Sequence, residues 1–200
     1  MTDRILMNKN TLAALKTSLT AYREALLIFE MKEQQLANIV LQIEADVMRL
    51  QEDITQTEHL VSQWIGVLAE PGVSVEQWVQ IAHIHTREKE IVGVRVEEFE
   101  AIEFVAVEID PVATPLWVDA AVEAIREQRE RSAIFSVQLK ALEKLEEELS
   151  EARRMKNALK EVFIPEAIDN IRRIQIFLGD VERLSIGCAK LVKKKKSRSL

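Results

Sequence analysis

Glycine and proline are scarce in this chain, at 5 and 4 of 200 residues. An average globular chain carries roughly 12% of the two together. The shortage argues against a turn-rich β-sandwich, a collagen-like chain or a Gly/Pro linker protein. Aromatic residues make up only 5%. There is one cysteine, Cys188, so no internal disulfide framework is possible. A single thiol in an acidic chain points to a reducing, cytoplasmic compartment. No run approaches the roughly 18 consecutive apolar residues of a transmembrane helix, so direct membrane insertion is not expected. Met1 to Asn10 carries charges but no apolar stretch leading to a small-residue cleavage site, which argues against a signal peptide. Recognisable catalytic motifs are missing too. The glycines never take the GxxxxGK[ST] spacing that cradles phosphates, and GxSxG, HExxH and CxxC do not occur.

What remains is rich in charge. Charged residues are 30% and hydrophobic residues 48%. That balance is typical of long helices and too apolar for a disordered chain. The net charge of −6 hides an asymmetry. Residues 190–200 hold five Lys and one Arg and no acid, leaving 21 basic and 33 acidic side chains in the rest, a net of −12. The chain is an acidic body with a basic tail, not a uniformly basic nucleic-acid binder.

The first segment carries the clearest pattern. Alternate steps of three and four from Leu12 meet Leu15, Leu19, Tyr22, Leu26, Phe29, Glu33, Leu36, Val40, Ile43, Val47, Leu50, Ile54, Thr57, Val61, Trp64 and Leu68. All but Glu33 and Thr57 are apolar or aromatic. No Pro or Gly falls between Leu12 and Ile65. A heptad seam kept this long specifies a left-handed coiled coil. At 1.5 Å per residue it predicts a rod of roughly 85 Å, against a radius of gyration of about 16 Å for a compact chain of this length. A seam needs a partner stripe. The segment from Leu116 to Leu191 offers one, with Thr114 as N-cap and Pro115 at the first helical position. Its apolar residues include Leu142, Leu149, Leu159, Ile171 and Leu178. Pro165 lies inside this helix and predicts a kink.

Between the rods, Glu70-Pro71-Gly72 reads as a break and a turn. Ser74 followed by Gln77 reads as a capping box for a short helix through His83. Two β-branched runs, Ile91 to Val96 and Phe104 to Ile109, predict a β-hairpin joined by the acidic stretch Glu97 to Ala101. The expected fold is mainly α: a long antiparallel two-helix coiled coil with a small central headpiece containing a short helix and a β-hairpin. Its parts are an N-terminal coiled-coil helix at 1–68, the headpiece at 69–113, a C-terminal coiled-coil helix at 114–191 and a basic tail at 192–200. A parallel homodimer through the first helix is the competing arrangement. The intramolecular hairpin is preferred because two stripes of similar length flank one compact insertion.

Chemistry-bearing clusters are few. His83 and His85, with Glu88 nearby, would point apart on a helix, so they read as ordinary surface histidines and no metal site is expected. Glu143, Glu146, Glu147, Glu148 and Glu151 alternate with leucines and read as a solvated face. No catalytic residue and no cofactor site emerges. Glu33, the one charge in the first seam, either meets a basic residue of the returning helix or marks an open seam. Lys190, Lys193, Lys194, Lys195 and Lys196 are candidates for binding a partner. The lack of interleaved aromatics weakens a single-stranded nucleic-acid reading. The seam is assigned to Leu15, Leu19, Leu26, Leu36, Ile43 and Leu50 against Leu142, Leu149, Leu159, Ile171 and Leu178.

Two stretches carry a family resemblance. Asn157-Ala158-Leu159-Lys160-Glu161-Val162-Phe163-Ile164-Pro165, running on to Ile171-Arg172-Arg173-Ile174, resembles a signature of the D subunits of V-type and archaeal-type rotary ATPases. Thr114-Pro115-Leu116-Trp117-Val118-Asp119 is similar to a segment of the bacterial branch. Lys9 to Leu19 resembles the opening helix, and Glu182-Arg183 with Lys190 resembles the ending. Gly187-Cys188-Ala189 departs from the bulkier residues usual there. The resemblance implies a non-catalytic central rotor shaft. It would transmit torque between ATP hydrolysis or synthesis in an A/B hexamer and H⁺ or Na⁺ transport by a membrane ring. The implied partners are the catalytic A and B subunits, the small F subunit and the membrane-ring adaptor subunit (C/d), with no nucleic acid. The implied location is peripheral, on the cytoplasmic face of the membrane. A free-standing coiled-coil adaptor or chaperone explains the seam equally well, but it needs neither Pro165 nor the segment from Thr114 to Asp119. An RNA- or lipid-binding helical protein would depend on residues 190–200.

Overall fold

The computed structural model describes residues 5–62, 75–107, 115 and 117–196. They form a helix α1 (Lys9–Ser62), a single 3₁₀ turn (Glu76–Trp78), strands β1 (Ile81–Ile91) and β2 (Val94–Phe104), and helix α2 (Trp117–Ala158). A π-helical turn (Leu159–Phe163) and helix α3 (Ile164–Lys196) follow. The chain divides into two compact units, residues 34–150 and residues 1–33 with 151–200. The predicted Ser74 cap, Thr114 cap and Pro71 turn lie outside the described residues.

Helix α1 begins where Asn8 caps it. The Asn8 side-chain oxygen accepts the Thr11 N–H at 2.7 Å, satisfying one of the free donors of the first turn. Its interior threonines do not compete with the helix. Thr17, Thr20, Thr55 and Thr57 turn their hydroxyls back onto carbonyls four residues earlier.

In the unit of residues 34–150, α1 packs on α2 and the hairpin. Leu36 and Val40 of α1, Ala141, Leu142, Leu145 and Leu149 of α2, and Val94 and Val96 of β2 form one buried cluster. Leu36 and Leu145 are fully buried. A second cluster joins Val75, Trp78 and Val79 to Val118 and Val122, at the start of α2.

The hairpin differs from expectation in its boundaries. β1 and β2 pair antiparallel, with Ile91 opposite Val94 closing the ladder. The connection is therefore the two residues Val92-Gly93, at φ 51° and 78°. Positive φ at both positions is the geometry of a two-residue turn that matches strand twist. The acidic stretch Glu97 to Ala101 is part of β2, not the loop. One reason is charge pairing across the ladder: Glu98 accepts from Arg87 at 2.8 Å and from Lys89 at 2.6 Å. The expected helix through His83 is likewise replaced. Only the 3₁₀ turn is helical there, and residues 81–91 run as strand, with Ile84 opposite Ile102. Val105 to Val107 lie beyond the end of β2.

In the other unit, the first turns of α1 meet the end of α2 and α3. Tyr22 stacks on Phe163 with ring centroids 5.7 Å apart. Glu33 meets Arg153 and Lys156. Rising numbers on α1 thus meet falling numbers on the return strand, so the pairing is antiparallel.

The irregularity expected at Pro165 takes the form of a wide turn just before it. Ile164 N–H donates to the Leu159 carbonyl, five residues back instead of four. Pro165 has no N–H to return to Glu161, and its ring crowds that carbonyl, so a looser turn is favoured here. The wide turn also corrects the seam. Buried positions recur every seventh residue at Leu145, Ala152 and Leu159, then resume at Ala167 and Ile174. The step from Leu159 to Ala167 holds one residue too many for a heptad. A π turn absorbs one extra residue, so Ala167 and Ile174 face inward instead of Glu166 and Arg173, which are exposed.

Candidate functional site

The candidate functional positions are the apolar faces of α1, α2 and α3 and the C-terminal end of α3. Along α1, Leu15, Leu19, Leu26, Ile43 and Leu50 are half-buried and Leu36 is buried. On the return strand Leu142, Leu149 and Leu159 are buried, while Ile171 and Leu178 are half-buried. Each of these side chains is at least partly covered. The second face of α1 is different. Leu27, Met31, Leu41 and Met48 are more than half exposed.

Glu33 is the polar point of the seam. Its carboxylate accepts from Lys156 Nζ at 2.6 Å and from Arg153 Nε at 3.2 Å. Of the two sequence readings, the basic partner on the returning helix is the one found. The Lys156 hydrogen bond, helped by Arg153, holds the Glu33 carboxyl below the usual carboxylate range against the opposing effect of desolvation. Two cations from one helix on one carboxylate of another also fix register, because a slip of one residue would leave them unmatched.

Toward its C-terminal end α3 loses its cover. Every described side chain from Asp180 to Lys195 is exposed. These include Val181, Leu184, Ile186, Leu191 and Val192, with Leu184 at 69%. Lys190, Lys193, Lys194 and Lys195 stand among them and face solvent. Cations in the last turns also complement the helix dipole. The side chain of Lys196 lies outside the described residues.

In the headpiece the histidines require a correction. They stand on β1, where residues two apart share a face, not on a helix where they diverge. The His83 and His85 rings meet edge-on at 4.8 Å. His85 Nε2 lies 3.5 Å from a Glu103 carboxylate oxygen. No group of three or more His, Cys, Asp or Glu able to hold a metal occurs among the described residues.

Arg126 escaped the sequence reading. Its guanidinium donates twice to the Trp78 carbonyl, at 2.7 and 3.0 Å, and lies 5.2 Å from the centroid of the Phe104 ring. It thus latches α2 to the 3₁₀ turn and to the end of β2. Nothing local distinguishes it from Arg129 or Arg131. The signal is purely tertiary. Arg131 makes a similar link, donating to the Thr57 hydroxyl at 2.9 Å.

No helix among the described residues is long and apolar enough to cross a membrane. Comparison with known proteins gives a consistent answer. The profile of the family described as the D subunit of ATP synthase matches residues 11–194. The V-type ATP synthase D subunit of Borreliella burgdorferi is 27% identical over 191 residues, which is 96% of this chain and 94% of that protein. The V-type ATP synthase D subunit of Chlamydia pneumoniae is 24% identical over 197 residues, 98% of this chain and 94% of that one. The match takes in both seam-bearing helices, the hairpin between them and the wide turn before Pro165, and the chain belongs to the family of ATP synthase D subunits.

Proposed function

We propose that this chain is the central rotor-shaft subunit of a V-type rotary ATPase or ATP synthase. The observation that carries the reading is the family match over residues 11–194, which leaves neither pairing helix outside it. In this role the chain turns inside a hexamer of catalytic A and B subunits. It carries torque between their ATP chemistry and a membrane ring that moves H⁺ or Na⁺. The small F subunit and the ring's adaptor subunit hold its other surfaces. It works on the cytoplasmic face of the membrane without entering it, and it contributes no catalytic group.

The physical features suit that task. Torque requires a strand pair that resists slipping, and a buried seam pinned by the Glu33–Lys156–Arg153 cluster supplies that resistance. A shaft end held in a collar needs apolar side chains that its own chain does not cover, and Val181, Leu184 and Leu191 meet that need. The test is purification of tagged chain from its native host. Co-purification of both catalytic subunits is expected. Recovery of the chain with neither of them, under conditions that keep the ATPase intact, sinks the proposal.

A further inference from the structure

The open end of the hairpin carries two imidazoles and a carboxylate on one face. His83 and His85 are two apart on β1, and the ladder runs without a shift between them, so both side chains leave the same side of the strand. The ladder sets Glu103 of β2 opposite His83. The Glu103 carboxylate lies 3.5 Å from His85 Nε2. His83 and Glu103 are exposed, and His85 keeps 42% of its side-chain surface. The cluster is therefore reached from solvent without any change in the core.

The spacing of the two rings matches joint ligation of one ion. Their centroids are 4.8 Å apart, with the planes at 66°. With metal–nitrogen bonds of about 2.0–2.1 Å, two ring centroids sit roughly 3.2 Å from a shared ion and about 4.5–5.2 Å from each other, for bond angles from square to tetrahedral. The observed separation falls inside that interval. Glu103 fills the part that a carboxylate commonly plays beside a ligating histidine: it engages the ring's other nitrogen, orients the ring and adds negative charge. Arg87, the next basic residue along β1, is held by Glu98 at 2.8 Å, so its charge is offset. Two nitrogen ligands fall short of the closed sets of structural zinc sites, and no such set occurs among the described residues. A two-imidazole chelate instead leaves the remaining coordination positions to water. Imidazole nitrogen selects copper, nickel and zinc over the hard cations that prefer oxygen.

We propose that His83 and His85 chelate one late first-row divalent cation, copper(II) more tightly than zinc, with Glu103 orienting His85. The assignment is independent of the shaft role, since neither the apolar seam nor the tip of α3 contributes to it.

The test uses the full chain with Cys188→Ser, which removes the exposed thiol that would compete for these ions. Zinc chloride and magnesium chloride are titrated by calorimetry. Zinc is expected to bind saturably and one to one, and magnesium not at all. Copper(II) should displace the zinc. His83→Ala and His85→Ala should each weaken zinc binding at least about tenfold, because the second ring binds as an intramolecular arm. Glu103→Gln should weaken it by about tenfold. Circular dichroism shows whether each variant folds. If one does not, NMR of the histidine ring protons in the folded chain decides: zinc should shift those of His83 and His85 and leave those of His59, the third histidine, in place. Absence of saturable zinc binding up to about 1 mM overturns the proposal, as does zinc affinity kept within about twofold in any of the three variants. Magnesium binding as tight as that of zinc, copper that fails to displace zinc, or zinc shifts at His59 alone would overturn it too.

Discussion

Glu33 shows how one residue can set alignment without adding much stability. Its carboxylate is about one-fifth exposed, and partly solvated ion pairs contribute on the order of 1 kcal/mol or less. Its depressed pKa nevertheless has a defined pH signature. A carboxyl held low in the folded state stabilises the fold above its ordinary value of 4.5, and that contribution is lost as pH falls through the lowered folded value. Glu33→Gln should therefore flatten the acid limb of a pH series of thermal melts and leave neutral stability within about 1 kcal/mol. An unchanged acid limb would mean that the pair does not form in solution. Leu36 sets the opposite extreme, with no exposure at all. Leu36→Asp buries a carboxylate with no partner assigned to it and should cost a few kcal/mol. Unchanged helical melting in that variant would place position 36 at the surface.

At the scale of elements, two irregularities matter: the hairpin turn and the wide helical turn. Val92 occupies a left-handed conformation that β-branched residues strongly avoid. Its half-buried side chain packs against the core cluster and offsets that strain. Val92→Asn relieves the strain and loses the packing, so stability should stay within about 0.5 kcal/mol. Val92→Ala loses packing and keeps the strain, and should cost about 1 kcal/mol. Urea titration of the two variants separates these outcomes. For the wide turn, deleting Lys160 removes the supernumerary residue and joins the seam into an unbroken heptad. It returns Pro165 to a regular helical turn, at a cost of up to about 3 kcal/mol, but keeps the buried positions in phase, whereas deleting Arg154 throws Leu159 out of phase with Ala152 and should destabilise more. Equal melting temperatures for the two deletions would contradict the account of the extra residue. How much was legible beforehand follows from the same elements. The α1 seam is visible because its period is local and uninterrupted, and the Leu159-to-Ala167 step was visible in principle as an eight-residue gap. The hairpin boundaries were not, because Val-Gly lacks the Asn or Asp that usually marks such a turn and because acidic residues disguise β2. The Arg126 latch joins residues 48 positions apart, and no local pattern encodes that.

At the scale of the whole molecule, the covered seam and the uncovered tip separate stability from assembly. The described side chains beyond Gly179 are all exposed up to Lys195. Truncation after Gly179 should therefore leave the melting temperature of the isolated chain nearly unchanged. On the shaft reading it should weaken incorporation into the ATPase or lower its coupled transport. The two readouts are measured separately, by scanning calorimetry and by ion pumping in reconstituted vesicles. A large fall in melting temperature would show that the tip folds back onto the chain. Full coupling without residues 180–200 would show that the tip is dispensable.

Cys188 sits on this exposed end, one residue past Gly187, and it is the sole thiol of the sequence. Wild-type protein is therefore already addressable by maleimide chemistry at one defined point, with no cysteine to remove first. A fluorophore or a bead tether placed there reports on the end of α3 alone. Conversely, any disulfide in oxidised preparations of the pure chain must link two molecules end to end, so a nonreducing gel reads out unwanted dimerisation directly.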